Sequence, residues 1–187
     1  MMPLRRFLDG RRRRRAAHSL YTTIIEQARQ PDFYLHRHVP DSLDGRFDLI
    51  VLHAFLVMRG LGRIDGAGRD EAREVSQELF DLMFADMEQN LRELGVSDMA
   101  VGKRVKHMAQ AFYGRVAAYD KGLGEDGAAL EDALLRNLFG TADAAPPQAV
   151  LAEMAAYLRR QDGAMADAGA GLVEGRVRFA PLAEAAQ

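Results

Sequence analysis

With 187 residues, 48% apolar and 28% charged, the chain can bury about 70% of its unfolded surface around one core, with room for a second small lobe at most. It has no cysteine, which excludes disulfides, thiolate metal sites and a cysteine nucleophile and fits a reducing compartment. The formal charge of −2 hides an asymmetry: Arg5, Arg6 and Arg11 to Arg15 crowd the start beside a single acid, Asp9, so the rest of the chain is acidic.

Residues 1–15 therefore read as a basic arm. It is suited to an anionic membrane surface, RNA or the ribosome; the plain alternative is a solvated, disordered tail. Arg5-Arg6 before Phe7 and Leu8 resembles the start of a twin-arginine signal, but five more arginines stand where the apolar region belongs, so export is rejected. The arm is Arg-rich like a mitochondrial presequence, but its arginines run around every side of a helix. No run reaches ~18 apolar residues, so no membrane span is predicted; the longest, Leu49 to Met58, is interrupted by His53.

Ala16 to Gln30 reads as a helix with Leu20, Ile24 and Ala28 on one stripe, stopped by Pro31. Pro31 to Gly45 reads as a structured loop, after which Asp44 is placed to cap a helix from Arg46 to about Leu61. Gly60 to Gly68 is a glycine-rich turn. Asp70 to Leu94 is the longest predicted helix. Its apolar residues, from Leu79 to Leu94, cover more than half the circumference, so it needs two neighbouring helices, or one neighbour and a client. Asp86 and Asn90 fall inside that sector, and a buried carboxylate needs a partner. Arg104 or Arg115 can supply it.

Gly95 ends this helix, and Ser97 or Asp98 starts another to about Tyr119. Val101, Val105, Met108, Phe112, Val116 and Tyr119 form a narrow stripe that packs the two helices as a hairpin. Lys103, Lys106 and His107 lie opposite, on a basic face suited to an acidic partner or to phosphates, or simply to water. Leu130 to Phe139 is a short helix, and Pro146-Pro147 opens a last one to about Arg160. From Gly163 the chain is Ala/Gly-rich and reads as frayed, apart from an extended patch at Val177 to Phe179. The fold class is all-α: a single domain of about six helices built around a long antiparallel helical hairpin. The expected divisions are 1–15 (arm), 16–160 (helical domain) and 161–187 (tail).

No reactive constellation emerges. None of His18, His36, His38, His53 and His107 sits in His-Glu-x-x-His or follows a Glu by three residues, which removes the zinc-protease and di-iron helix motifs. His36, His38 and Asp41 form a thin metal candidate, and His53 reads as a core histidine. There is no Gly-x-Ser-x-Gly and no P-loop. No cofactor, metal or catalytic residue is expected. Met83, Met87, Met99 and Met108 cluster on the two long helices, as an adaptable surface for a client or as core filling.

Three blocks carry a resemblance: Ala28-Arg29-x-Pro31-x-Phe33-Tyr34 with Val39-Pro40-Asp41 and Gly45-Arg46-Phe47-Asp48; Phe80-x-x-Met83-Phe84-x-Asp86-Met87 with Leu91-Arg92-x-x-Gly95-Val96; and Val101-Gly102-Lys103-x-Val105-Lys106 with Ala111-Phe112-Tyr113-Gly114-Arg115. Together they resemble the ubiquinol–cytochrome c chaperone family over roughly residues 20 to 140, with the chain after about Phe139 outside the match. The resemblance implies a non-catalytic assembly factor for the cytochrome bc1 complex. Such a factor acts on newly made cytochrome b or another bc1 subunit, with a small partner protein, near the ribosome and the inner membrane. An Arg-over-Lys bias and Ala/Gly richness fit a GC-rich bacterial genome, hence a cytoplasmic place peripheral to the inner membrane, or the matrix side in a mitochondrion. The expected client groove comprises Phe80, Met83, Phe84, Met87, Met108, Phe112 and Tyr113, with Lys103, Lys106 and Arg115 as the partner-docking basic face. Asp86 and Arg104 are the expected structural ion pair. The rival reading is a ribosome- or RNA-binding helical adaptor working through the arginine arm.

Overall fold

A computed structural model describes residues 2–125 and 128–182, with side chains from Leu8 onward. Among these residues there is no β-strand. The α-helices are α1 (Met2–Ala28), α2 (Asp32–Leu35), α3 (Leu43–Gly62), α4 (Arg69–Glu93), α5 (Asp98–Gly124), α6 (Ala129–Asn137) and α7 (Gln148–Ala168). Six are longer than one turn, and short 3-10 turns precede α4 and follow α7.

Helix α3 is the hub because its sequence is apolar nearly all round. Leu49, Val51, Leu52, Ala54, Phe55, Leu56 and Val57 are all buried, so it must be covered on several sides. Helices α1, α4, α5 and α7 supply the cover. Its cap differs from the expected one. Ser42, not Asp44, accepts the Gly45 N–H at 3.1 Å, and Asp44 sits in the first turn. Gly45 is required there: a Cβ would stand 2.0 Å from the Pro40 carbonyl oxygen, so the incoming loop folds tightly over the helix start.

Gly95 adopts φ 79° and closes α4. Its N–H donates to the Arg92 carbonyl at 2.9 Å, and the Val96 N–H donates to that of Leu91 at 3.1 Å, the left-handed terminus that glycine favours. Phe80 and Phe84 of α4 then meet Phe112 and Tyr113 of α5, with ring centroids 5.4–6.0 Å apart across the two helices. The α4–α5 pair is nonetheless only one interface among several, and α4 packs more extensively on α1.

The basic arm is part of that α1–α4 interface. Residues from Met2 on are helical and continuous with the rest of α1. Arg12 lies 3.2 Å from Glu71, Arg13 pairs with Glu74, and Arg14 lies 3.6 Å from Glu78. The reading of this stretch as a disordered tail is corrected: glutamates spaced three and four apart make an acidic stripe on α4, and the arginines run along it.

The frayed C-terminal tail is corrected too. Helix α7 continues past Arg160 to Ala168, and Leu172, Val173 and Phe179 are buried. The Gln161 amide donates to the Ala180 carbonyl and accepts its N–H, both at 2.8 Å, pairing the extended chain as a strand would. Phe179 packs edge-on against His53 at 5.1 Å. His53 is the core histidine expected. Its Nδ1 lies 2.7 Å from the Leu49 carbonyl, which accepts only, so Nδ1 carries the proton and Nε2 accepts from the Tyr157 hydroxyl at 2.8 Å. Tyr157 in turn accepts from Gln27 at 2.9 Å. Burial pushes the imidazole down from 6.5 to about 4, so it is neutral at physiological pH.

Candidate functional site

The metal candidates do not converge. His36 and His38 are exposed on either side of buried Arg37, which pairs with Asp32 at 3.1 Å and with Glu153. Among the described residues no three His, Asp or Glu side chains come close enough to share an ion.

Two concavities remain. The smaller, of about 630 Å³, lies between α3, α4 and α5 and includes Phe80, Phe112 and Tyr113. Arg59 beside it is held by Asp120 and by Asp162 at 3.0 Å, and Arg63 by Asp162 at 2.6 Å, which ties α3 to α5 and α7. The larger, of about 1220 Å³, opens where α1 and α4 finish and α3 and α5 begin. Its floor is apolar: Ile25, Tyr34, Phe47, Ile50, Met87 and Met108. Three leucines stand on its rim with large exposure, Leu35 at 72%, Leu43 at 59% and Leu94 at 64%. Large exposed apolar side chains gathered around one groove mark a binding surface more than scattered ones do.

The groove's charges differ between α5 and α4. From α5 come Lys103, Arg104, His107 and Arg115, and from α4 Asp86 and Glu93; the chain between α1 and the start of α3 adds both signs, Arg29, Asp41, Asp44 and Arg46. Arg115 is turned inward: its Nη2 lies 2.8 Å from Oδ1 of buried Asp48, and its guanidinium lies 5.7 Å from the Phe47 ring centre. Burial raises the Asp48 carboxyl from 3.8 to about 7, against the downward pull of Arg115.

The structure divides the residues expected to form one client groove. Met83 and Phe84 are buried in the core, with Met83 at 0% exposure. Phe80, Phe112 and Tyr113 belong to the smaller cavity, and Met87 and Met108 to the larger groove. A single groove containing all seven is therefore corrected. The wide apolar face of α4 is spent on α1, α3 and α5, leaving little of it open. The basic face divides as well: Lys103 and Arg115 line the groove, while Lys106 is exposed outside its lining.

The Asp86–Arg104 ion pair is also corrected. Asp86 is exposed and accepts from the Tyr21 hydroxyl at 2.8 Å and from the Asn90 amide, while buried Asp48 takes Arg115. The sector that looked buried from α4 alone is the groove mouth, where water replaces a cation. Sequence reasoning does not assign Leu35, Leu43 or Leu94 to the site: Leu94 reads as part of the wide apolar face of α4, and Leu35 and Leu43 as part of the loop before α3, outside every apolar stripe.

A family model described as ubiquinol-cytochrome C chaperone matches residues 35–179. The chain belongs to this family. The match runs well past Phe139, where the resemblance was expected to end, and takes in the packed C-terminal segment. Over 172 residues the chain is 30% identical to the mouse ubiquinol-cytochrome c reductase complex assembly factor 1, covering 90% of this chain and 56% of that protein. The human protein is 28% identical over 172 residues, with 90% and 55% covered, and the Xenopus laevis protein 26% over 171 residues, with 90% and 82% covered. The chain thus spans just over half the length of its mouse and human relatives. The crystal structure of the Cbp3 homolog from Brucella abortus superposes over 100% of both chains with a TM-score of 0.83 at 28% identity.

Proposed function

We propose that this protein is a non-catalytic chaperone for assembly of the ubiquinol–cytochrome c reductase (bc1) complex, and that it holds newly made cytochrome b in the groove between α1, α3, α4 and α5. The observation that carries the reading is the groove itself: an apolar floor ringed by exposed Leu35, Leu43 and Leu94. An assembly factor has to shield an apolar segment of a membrane protein and then let it go, and an open groove with methionine in its lining does both. No described helix is long and apolar enough to cross a membrane, so the chaperone meets its client from the membrane surface. Met87, Met108, Lys103 and Arg115 remain client contacts in this account, while Phe80, Met83, Phe84 and Phe112 support the groove from behind.

The adaptor reading is less well supported, because Arg12, Arg13 and Arg14 of the arm meet glutamates along α4. The test is affinity capture of the tagged chain from cells with membranes retained. Wild type enriches cytochrome b, and Leu94→Asp loses the enrichment at unchanged melting temperature. Capture of ribosomal components without cytochrome b overturns the proposal.

A further inference from the structure

We infer that the groove selects a helix whose apolar stripe is flanked by carboxylates on the side facing α5, and by cations on the side facing α4. The inference rests on the reading of this groove as the client site and states the chemistry of the segment it takes.

The helices on the two sides of the groove differ in sign: α5 presents Lys103, Arg104, His107 and Arg115, and α4 presents Asp86 and Glu93, while α3 carries both Asp44 and Arg46, the latter held by Asp41 at 2.7 Å. Among the described residues, the side chains of Lys103, Arg104 and His107 of α5 enter no hydrogen bond or ion pair, although all three line the groove. Asp86 and Glu93 of α4 meet only neutral partners, Tyr21 and Asn90 for the first and Gln89 for the second. Lys103 and Arg104 stand one turn from His107, so their partners recur every three to four residues on a helix lying alongside.

An occupant that covers the apolar floor also takes water from these charges. Removing water from an unpaired charge is costly, and a like charge laid against it is worse. A wholly apolar helix strips water from the α5 cations and gives nothing back; a helix with Glu or Asp on that flank replaces the water with ion pairs. The acids of α4 reject the same helix turned over. The charges thereby fix the rotation of the occupant, and the leucine rim supplies its affinity in the helix-in-groove manner. A flat anionic membrane fits less well, since Asp44, Asp86 and Glu93 share the mouth with the cations.

The test uses the full chain and three fluorescent helical peptides with one leucine stripe, flanked on one side by Glu, Gln or Lys, read by anisotropy. The Glu peptide is expected to bind roughly tenfold tighter than the Gln peptide, with the Lys peptide weakest. The double variant Lys103→Glu/Arg104→Glu should reverse that order, and Leu94→Asp should weaken all three. Equal affinities, no binding by any peptide, an order that survives the double variant, or binding indifferent to Leu94→Asp each overturns the inference. So does tight binding to phosphatidylglycerol vesicles, or a self-association abolished by Leu94→Asp, in place of peptide binding. Cytochrome b capture is read separately: loss with Leu94→Asp but not with the double variant removes the charge rule and leaves the client site standing.

Discussion

Two sides of helix α3 show what a finished and an unfinished surface look like. On one side α7 and the chain beyond it seal α3: Phe33, His53, Tyr157 and Phe179 pack edge to face with centroids 5.1–5.9 Å apart. Both His53 nitrogens, the Tyr157 hydroxyl and the Gln27 amide nitrogen have partners there. On the other side the same α3 opens into a groove where leucines face water and, among the described residues, Lys103, Arg104, Asp86 and Glu93 lack counter-ions. A buried site must satisfy its polar groups; a site meant for a partner leaves them for the partner to satisfy. Substitutions should therefore cost stability on the first side and client capture on the second.

The largest effect is expected on the sealed side. Phe33→Ala removes a wholly buried ring and should cost ~3–5 kcal/mol in denaturant unfolding. A loss below ~1 kcal/mol would show that the cluster is looser than its geometry. Acid should act at the same place. The folded His53 titrates near 4 and the unfolded residue near 6.5, so the unfolded chain takes the proton first. The stability is complete above about pH 6.5 and is lost as pH falls toward 4, on the order of 3 kcal/mol in all. Asp48 runs the other way, since a carboxyl raised from 3.8 to about 7 keeps its proton in the fold and contributes less as pH rises through that window. Asp48→Asn should steepen the acid loss relative to wild type, and His53→Gln should flatten it; unfolding at stepped pH values reads both slopes.

Smaller effects sharpen the contrast. Gly45→Ala sets a methyl against the Pro40 carbonyl and should cost ~1–3 kcal/mol while shifting Leu43 at the groove rim, so stability and capture fall together. Tyr157→Phe should cost ~1–3 kcal/mol by leaving His53 Nε2 and the Gln27 amide without their partner, with capture intact. Asp86→Ala loses the exposed carboxylate's hydrogen bonds from Tyr21 and Asn90 at the groove mouth and should cost about 1 kcal/mol. A cost of several kcal/mol, as for a broken buried ion pair, would contradict its exposed placement.

Much of this fold is legible in the amino-acid sequence because helix periodicity is local. The apolar stripes of α4 and α5, the Gly95 terminus and the burial of His53 follow from spacing alone. What eludes that reading depends on partners distant in the chain. The arginine arm looks free until Glu71, Glu74 and Glu78 are seen to run beside it. The C-terminal segment looks frayed until Gln161 clasps Ala180. The candidate site suffers most, since an apolar face on one helix does not reveal which neighbours cover it. Met83 and Phe84 look like client contacts yet are core, whereas Leu94 of the same apolar face is exposed at the groove rim and Leu35 and Leu43 sit outside any stripe.

The central claim is that the client rests in the groove on the open side and not on the aromatic cavity between α4 and α5. A photoreactive phenylalanine analogue placed at Leu94, and separately at exposed Tyr113, tests it in living cells. The account predicts an adduct with cytochrome b from position 94 and none from position 113. The reverse pattern, or an adduct from 113 as strong as from 94, would contradict it.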